Sequence, residues 1–243
     1  MTVVIGLTGP IGCGKSTISG WLGEHGAIVV DADGVARDVT APGRPAHDAV
    51  LRRFGEAVQT PAGGLDRGAL GRLVFSDPER LRELEAIVHP AVRREILAVL
   101  EAARSAAAPA VVVEAIKLVE SGLAALCDEV WLVTCDPDAQ LERLRERGLP
   151  AADAAQRIAA QRGLVERARP VASRVFATTD GRSATEAAVV AALADALARD
   201  RRGTDDRTAT AGQGTADGPG SRTGDGVADG SAEEVGESGP VPG

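Results

Sequence analysis

Eight residues near the N-terminus, Gly9-Pro10-Ile11-Gly12-Cys13-Gly14-Lys15-Ser16, constrain this chain more tightly than any other stretch. They fit the pattern G-x-x-x-x-G-K-[ST] and stand between an apolar run, residues 2–8, that reads as a buried strand and a segment, residues 16–25, that reads as a helix. A strand–loop–helix unit of this composition predicts backbone N–H groups curled around phosphate oxygens, with Gly12 and Gly14 allowing close approach. Lys15 then reaches the β- and γ-phosphates, Ser16 offers a hydroxyl to Mg²⁺, and the positive end of the helix faces the same anion. A bare glycine-rich turn without a ligand is the competing reading, and the complete motif with both flanks disfavours it.

The motif's lysine is one of only two, against 25 arginines. A lysine retained where arginine is otherwise used marks a position that needs a compact ammonium with rotatable donors, and Lys117 shares that distinction with Lys15. The net charge of −8 argues against a broad grip on nucleic acid. No uninterrupted apolar stretch approaches the ~18 residues of a membrane span, so neither nucleic acid nor membrane is expected as a partner. Cys13, Cys127 and Cys135 form an odd set without metal-ligand spacing, and the N-terminus enters its strand without a basic and apolar signal region, so a cytoplasmic location is expected.

Short β-rich runs at 27–30, 110–113, 129–133 and 174–177 alternate with helical patterns, which predicts a parallel sheet with helices on both faces. The expected layout is one α/β domain over 1–200, its core at 1–40, 105–135 and 170–200. A helical insertion occupies about 41–104; Asp77-Pro78-Glu79-Arg80 starts a helix in it, and Pro90 bends what would otherwise be a long one. A helical pair, 138–147 and 151–167, would form a lid over about 136–169. From 201 to 243 the chain is rich in Gly, Thr and Asp, almost without large apolar residues, and is expected to be disordered.

In such sheets ligands bind beyond the carboxyl ends of the strands, where the motif, Asp31, Asp33 and Glu114 would converge. Asp33 is the candidate base, orienting an acceptor hydroxyl and taking its proton; a helix N-cap is the alternative. Arg143 and Arg147 share a helix face, as do Arg157 and Gln161, and either pair is a phosphate clamp or a solvated surface. His89, before Pro90, reads as a structural hydrogen-bonding residue, while Lys117 follows the 110–113 strand at the ligand edge and reads as a contact to substrate or phosphate.

These residues resemble the dephospho-coenzyme A kinase family. The likeness runs from Gly6 through Thr17, then Asp31-Ala32-Asp33 with Ala36-Arg37, Pro42-Gly43, Phe54-Gly55, Leu65-Asp66-Arg67, Val74-Phe75, Leu84-Glu85, His89-Pro90, Gln140 with Arg143 and Arg147, and Arg157-Ile158 with Gln161. It implies a P-loop kinase fold, α/β with a parallel five-stranded sheet flanked by helices, a helical substrate-binding insertion and a helical lid. It also implies transfer of the γ-phosphoryl of ATP, with Mg²⁺, to the ribose 3′-hydroxyl of dephospho-coenzyme A in a monomer or weak homo-oligomer. On this likeness Gly9, Gly12, Cys13, Gly14, Lys15, Ser16, Thr17, Arg143 and Arg147 hold the nucleotide, and Ser16 the metal. Asp33, Lys15 and Arg143 act in catalysis, and Thr8, Asp31, Asp33, Arg37, His89 and Lys117 shape the acceptor site.

Two stretches depart from the family pattern. Glu114-Ala115-Ile116-Lys117-Leu118 stands where an acidic residue followed by Pro-Leu-Leu is common, and Ala177-Thr178-Thr179-Asp180-Gly181 lacks the more familiar Asn. The first leaves open a kinase for another small hydroxyl acceptor. A nucleotide-binding regulatory protein is the alternative of a different class.

Overall fold

The computed structural model describes residues 1–179 and 181–211, the last ten as backbone only. Five strands, β1 (Val3–Thr8), β2 (Ala27–Asp31), β3 (Ala110–Glu114), β4 (Glu129–Thr134) and β5 (Arg174–Ala177), form one parallel sheet in the order β2-β3-β1-β4-β5. The near-continuous apolar runs of the inner strands β1, β3 and β4 follow from burial on both faces, while the edge strands β2 and β5 stay partly exposed. Alternation divides β1 cleanly: Val3, Ile5 and Leu7 join Ile18, Trp21 and Leu22 of helix α1 (Lys15–Glu24), while Val4 joins the opposite cluster with Ile96 and Leu100.

Helix α2 (Ala32–Val39) follows β2 directly, so the chain turns between Asp31 and Asp33 instead of extending. Asp31 holds the N-cap position and Asp33 lies in the first turn, so Asp33 does not cap the helix. The insertion contributes α3 (Pro45–Phe54), α4 (Arg67–Phe75) and α5 (Pro78–Ser105), around a small core of Val50, Val58, Leu70 and Val74. Asp77 caps α5 by accepting from the N–H groups of Glu79 and Arg80, and α5 passes through Pro90 without ending. Ala91, Val92 and Ile96 anchor it to the sheet just beyond, and this packing outweighs the hydrogen bond that proline removes.

After β4 come α6 (Pro137–Glu146), α7 (Ala151–Ala159) and α8 (Leu164–Ala168). The single helix expected over 151–167 is therefore two, because Gly163 adopts φ +74° and turns the chain between them. The last helix, α9 (Arg182–Ala211), packs Val189 and Leu193 against α1 and runs past residue 200, where the tail was expected to begin. A helix already docked on the core extends at little nucleation cost. Residues 212–243, the rest of that expected tail, lie outside the described residues.

Candidate active site

At the carboxyl ends of the strands three cavities adjoin one another. The first, about 390 Å³, is lined by Gly12, Gly14, Lys15, Ser16, Asp31, Asp33, Arg37, Glu114 and Arg147. The second, about 290 Å³, runs between α1 and α9 and is lined by Thr17, Trp21, Arg143, Arg147, Thr178 and Arg182. The third, about 340 Å³, opens among α2, α4 and α5 and is lined largely by aliphatic side chains, with Asp33, Arg67, Glu85, His89 and Lys117 among them. Gly14 and Arg147 border both the first and second cavities; Asp33 borders both the first and third.

The glycine-rich loop forms one wall of the first cavity, and other elements hold that loop in shape. Gly9 admits no side chain, since an added Cβ would stand 2.2 Å from the Val133 carbonyl oxygen. Lys15 is buried, and its ammonium donates to the carbonyls of Gly9 (2.9 Å) and Pro10 (3.3 Å). Burial pulls its pKa below the usual lysine value, while the carboxylates of Glu114 and Asp33 oppose that shift. The Ile11 peptide is fastened at both ends: its N–H donates to Gln161 Oε1 and its carbonyl accepts from Gln140 Nε2, each at 2.7 Å. The loop is thus tied to α6 and to the segment after α7.

Asp33 is accessible to solvent, yet desolvation and the neighbouring Asp31 raise its carboxyl above the usual carboxylate range. The Ile116 N–H, Lys15 and Arg37 oppose this rise. Asp31 itself pairs with Arg37 at 3.2 Å. Glu114 accepts from Ser16 Oγ (3.3 Å) and Ser19 Oγ (2.7 Å), so hydroxyl and carboxylate oxygens meet beside the loop. Among the described residues no three His, Cys, Asp or Glu side chains are grouped to hold a metal by themselves. Oxygen donors too few to form a cage suit Mg²⁺, which takes one or two protein ligands and completes its shell with phosphate and water.

The remaining predicted residues divide. Thr8 is fully buried and spends its hydroxyl on the Ile116 carbonyl at 3.1 Å, so it supports the segment beside Asp33 and lines none of the three cavities. Arg143 borders the second cavity only, its guanidinium donating to Thr178 Oγ1 and Thr178 O, both at 2.8 Å. Thr178 in turn donates to the Cys13 carbonyl at 2.9 Å. His89 lines the third cavity, and burial lowers its pKa, so it is neutral at pH 7. Arg157 is exposed and lines none of these three cavities, so the surface reading applies to it.

Three features escaped the sequence. Cys13 and Cys135, 122 residues apart, form a disulfide between the phosphate loop and the end of β4. Arg182 lies over the Trp21 ring at 5.4 Å, making a flat wall in the second cavity. Arg67 reaches back to the Arg37 carbonyl (3.1 Å) and Thr40 Oγ1 (2.9 Å) at the mouth of the third. No short-range pattern encodes any of the three, since each joins residues distant in sequence.

The family model for dephospho-CoA kinase matches residues 3–183. A protein of Symbiobacterium thermophilum named dephospho-CoA kinase is 48% identical over 190 residues, 78% of this chain and 79% of its own. A crystal structure from Thermus thermophilus is 37% identical with a TM-score of 0.68, covering 80% of this chain and 97% of its own. A dephospho-CoA kinase structure from Campylobacter jejuni, 22% identical with a TM-score of 0.60 over 82% of this chain and 100% of its own, shares the fold.

Proposed function

The chain belongs to the dephospho-CoA kinase family, and from that premise we propose that it phosphorylates the ribose 3′-hydroxyl of dephospho-coenzyme A with ATP, giving coenzyme A and ADP. The observation that carries the assignment of sites is the order of the cavities. Among the described residues Asp33 alone is common to the loop cavity and the aliphatic one, so a hydroxyl entering from the aliphatic side meets a carboxylate at the edge of the phosphate cradle.

The second cavity takes the nucleoside of ATP, with the Trp21–Arg182 wall as a flat surface for the base. Residues 12–17 hold the phosphates through their N–H groups, and Lys15 turns its ammonium from the Gly9 and Pro10 carbonyls to the γ-phosphoryl. The Ser16 hydroxyl, hydrogen-bonded to Glu114, would hold Mg²⁺, which would supply charge that neutralises the phosphates. Asp33 accepts the 3′-hydroxyl proton as the ribose oxygen bonds to the γ-phosphorus and the bond to the ADP oxygen breaks. Arg147 borders both nucleotide cavities and stabilises the spread negative charge; Arg143, bonded to Thr178, positions the turn beside it. Asp31 and Arg37 fix the entry to α2, and the insertion with His89 and Lys117 encloses the acceptor.

The protein acts in the cytoplasm as a monomer or weak homo-oligomer without nucleic-acid partners. The negative charge supports this reading, and no helix among the described residues is long and apolar enough to cross a membrane. Incubation with Mg-ATP and dephospho-coenzyme A, adenosine or no acceptor, followed by ADP release and mass spectrometry, tests the whole. Coenzyme A equal to the ADP formed is expected. ADP release independent of any acceptor would instead mark a nucleotide hydrolase or switch.

A further inference from the structure

The segment after β3 holds Asp33 and Lys117 in one frame. Ala115 N–H donates to the Leu7 carbonyl at 3.0 Å, Ile116 lines the loop cavity together with Asp33, and Ile116 O accepts from Thr8 Oγ1 at 3.1 Å. Ser121 N–H then closes a turn on the Lys117 carbonyl at 2.9 Å. The lysine therefore leaves the backbone at a fixed place relative to the carboxylate, and both side chains line the aliphatic cavity.

In that cavity the Lys117 ammonium donates to Glu85 Oε1 at 2.7 Å, with 48% of the lysine side chain and 28% of the glutamate exposed. An ion pair this open to water contributes ~1 kcal/mol or less, so a better anion displaces the carboxylate readily. The other cationic candidates on the wall are less available: Arg67 is bonded to the Arg37 carbonyl and Thr40, and His89 is neutral near pH 7. Dephospho-coenzyme A carries a diphosphate on the 5′-oxygen of the same ribose whose 3′-hydroxyl has to reach Asp33. An anion must therefore lie within a nucleotide's length of Asp33, in a cavity whose remaining wall is mostly Leu and Val.

We propose that Lys117 recognises the acceptor's diphosphate, leaving Glu85 for it on binding, and so sets the choice of acceptor. The proposal rests on the acceptor named above and gives a purpose to a lysine standing where the family pattern has an apolar residue. Glu85 keeps the ammonium oriented and desolvated in part before the substrate arrives, which lowers the cost of recruiting it.

The test compares wild type with Lys117→Met, Lys117→Arg and Glu85→Gln. Steady-state kinetics with dephospho-coenzyme A are combined with calorimetric binding of dephospho-coenzyme A and of adenosine, with a non-hydrolysable ATP analogue filling the nucleotide site. Lys117→Met is expected to raise KM and Kd for dephospho-coenzyme A by about 10–100-fold, the loss of one charge-assisted contact. Its kcat should fall less than about threefold, and adenosine, which lacks a diphosphate, should bind as to wild type. Lys117→Arg should recover most of the loss, and Glu85→Gln should leave KM unchanged or lower it. Equal weakening of both ligands by Lys117→Met, or a KM increase in Glu85→Gln as large as in Lys117→Met, would show a purely structural pair and overturn the proposal. If wild type formed no coenzyme A, the reaction would be wrong, whereas dephospho-coenzyme A affinity lost with Lys117 and retained for adenosine would still support diphosphate recognition.

Discussion

The phosphate side and the acceptor side of this molecule are built from different materials. On the phosphate side a glycine-rich loop and charged side chains form the cavity, and hydrogen bonds with Gln140, Gln161, Thr178 and Lys15 pin the loop to its surroundings. On the acceptor side aliphatic side chains form the wall, backed by a separate small core of Val50, Val58, Leu70 and Val74. Backbone geometry demands particular residue types at particular spacings, whereas an aliphatic wall is satisfied by many combinations of Leu, Val and Ile. Changes on the first side should therefore damage turnover, and changes on the second should damage acceptor affinity or stability.

Asp33, where the two sides meet, offers the sharpest break. Asp33→Asn should lower kcat by about 10²–10⁴-fold with ATP affinity preserved, the range expected for loss of a general base. The same substitution should raise thermal stability at pH 7. Its carboxyl is raised above the ordinary value of 3.8, so wild type carries a charge that folding disfavours there. The stability associated with the neutral form is complete below that ordinary value and disappears as pH rises through the raised one. A melting-temperature advantage for the Asn variant that is present at pH 7 and absent at about pH 3 is the expected pattern; equal melting at both would contradict the assigned shift. In wild type, kcat should climb as Asp33 ionises.

Lys15→Ala should cost about 10²–10³-fold in kcat, a typical loss for one group that stabilises transition-state charge. Calorimetry should find dephospho-coenzyme A binding within about twofold of wild type; a large loss there would mean the two sides are not separable. Leu70→Ala tests the other side. It should cost about 2–4 kcal/mol in denaturant unfolding and raise KM for the acceptor, leaving the KM for ATP alone. The disulfide is tested through stability: closing a loop across 122 residues is worth about 4–5 kcal/mol in the chain-entropy account. Oxidised wild type should melt about 10 °C above the reduced protein, and Cys135→Ser should melt at one temperature under both conditions.

The same contrast explains what could be read from the sequence. All five strands were legible within a residue or two, the inner β1, β3 and β4 because double-sided burial writes near-continuous apolar runs, and the motif gave the loop and the start of α1. Asp33 was legible as a candidate from its place after a strand, but its position between two cavities was not, since that depends on α4 and α5 closing the far wall. The Trp21–Arg182 wall was invisible because its residues come from α1 and α9, at opposite ends of the domain. The Ile116 partner of Thr8 was not legible, because a hydroxyl at a strand end looks the same in sequence whether it faces a cavity or, as here, a backbone carbonyl. The split of α7 and α8 turned on one glycine that helical periodicity alone does not flag.

The two glutamines holding Ile11 make the loop and the helices above it a single thermodynamic variable. A nucleotide that stabilises the curled backbone also stabilises the Gln140 and Gln161 contacts, and by linkage whatever brings those helices down must tighten nucleotide binding by the same factor. If the contacts loosen when product leaves, the residence time of ADP reports how firmly the two peptide groups flanking the Ile11 α-carbon are held.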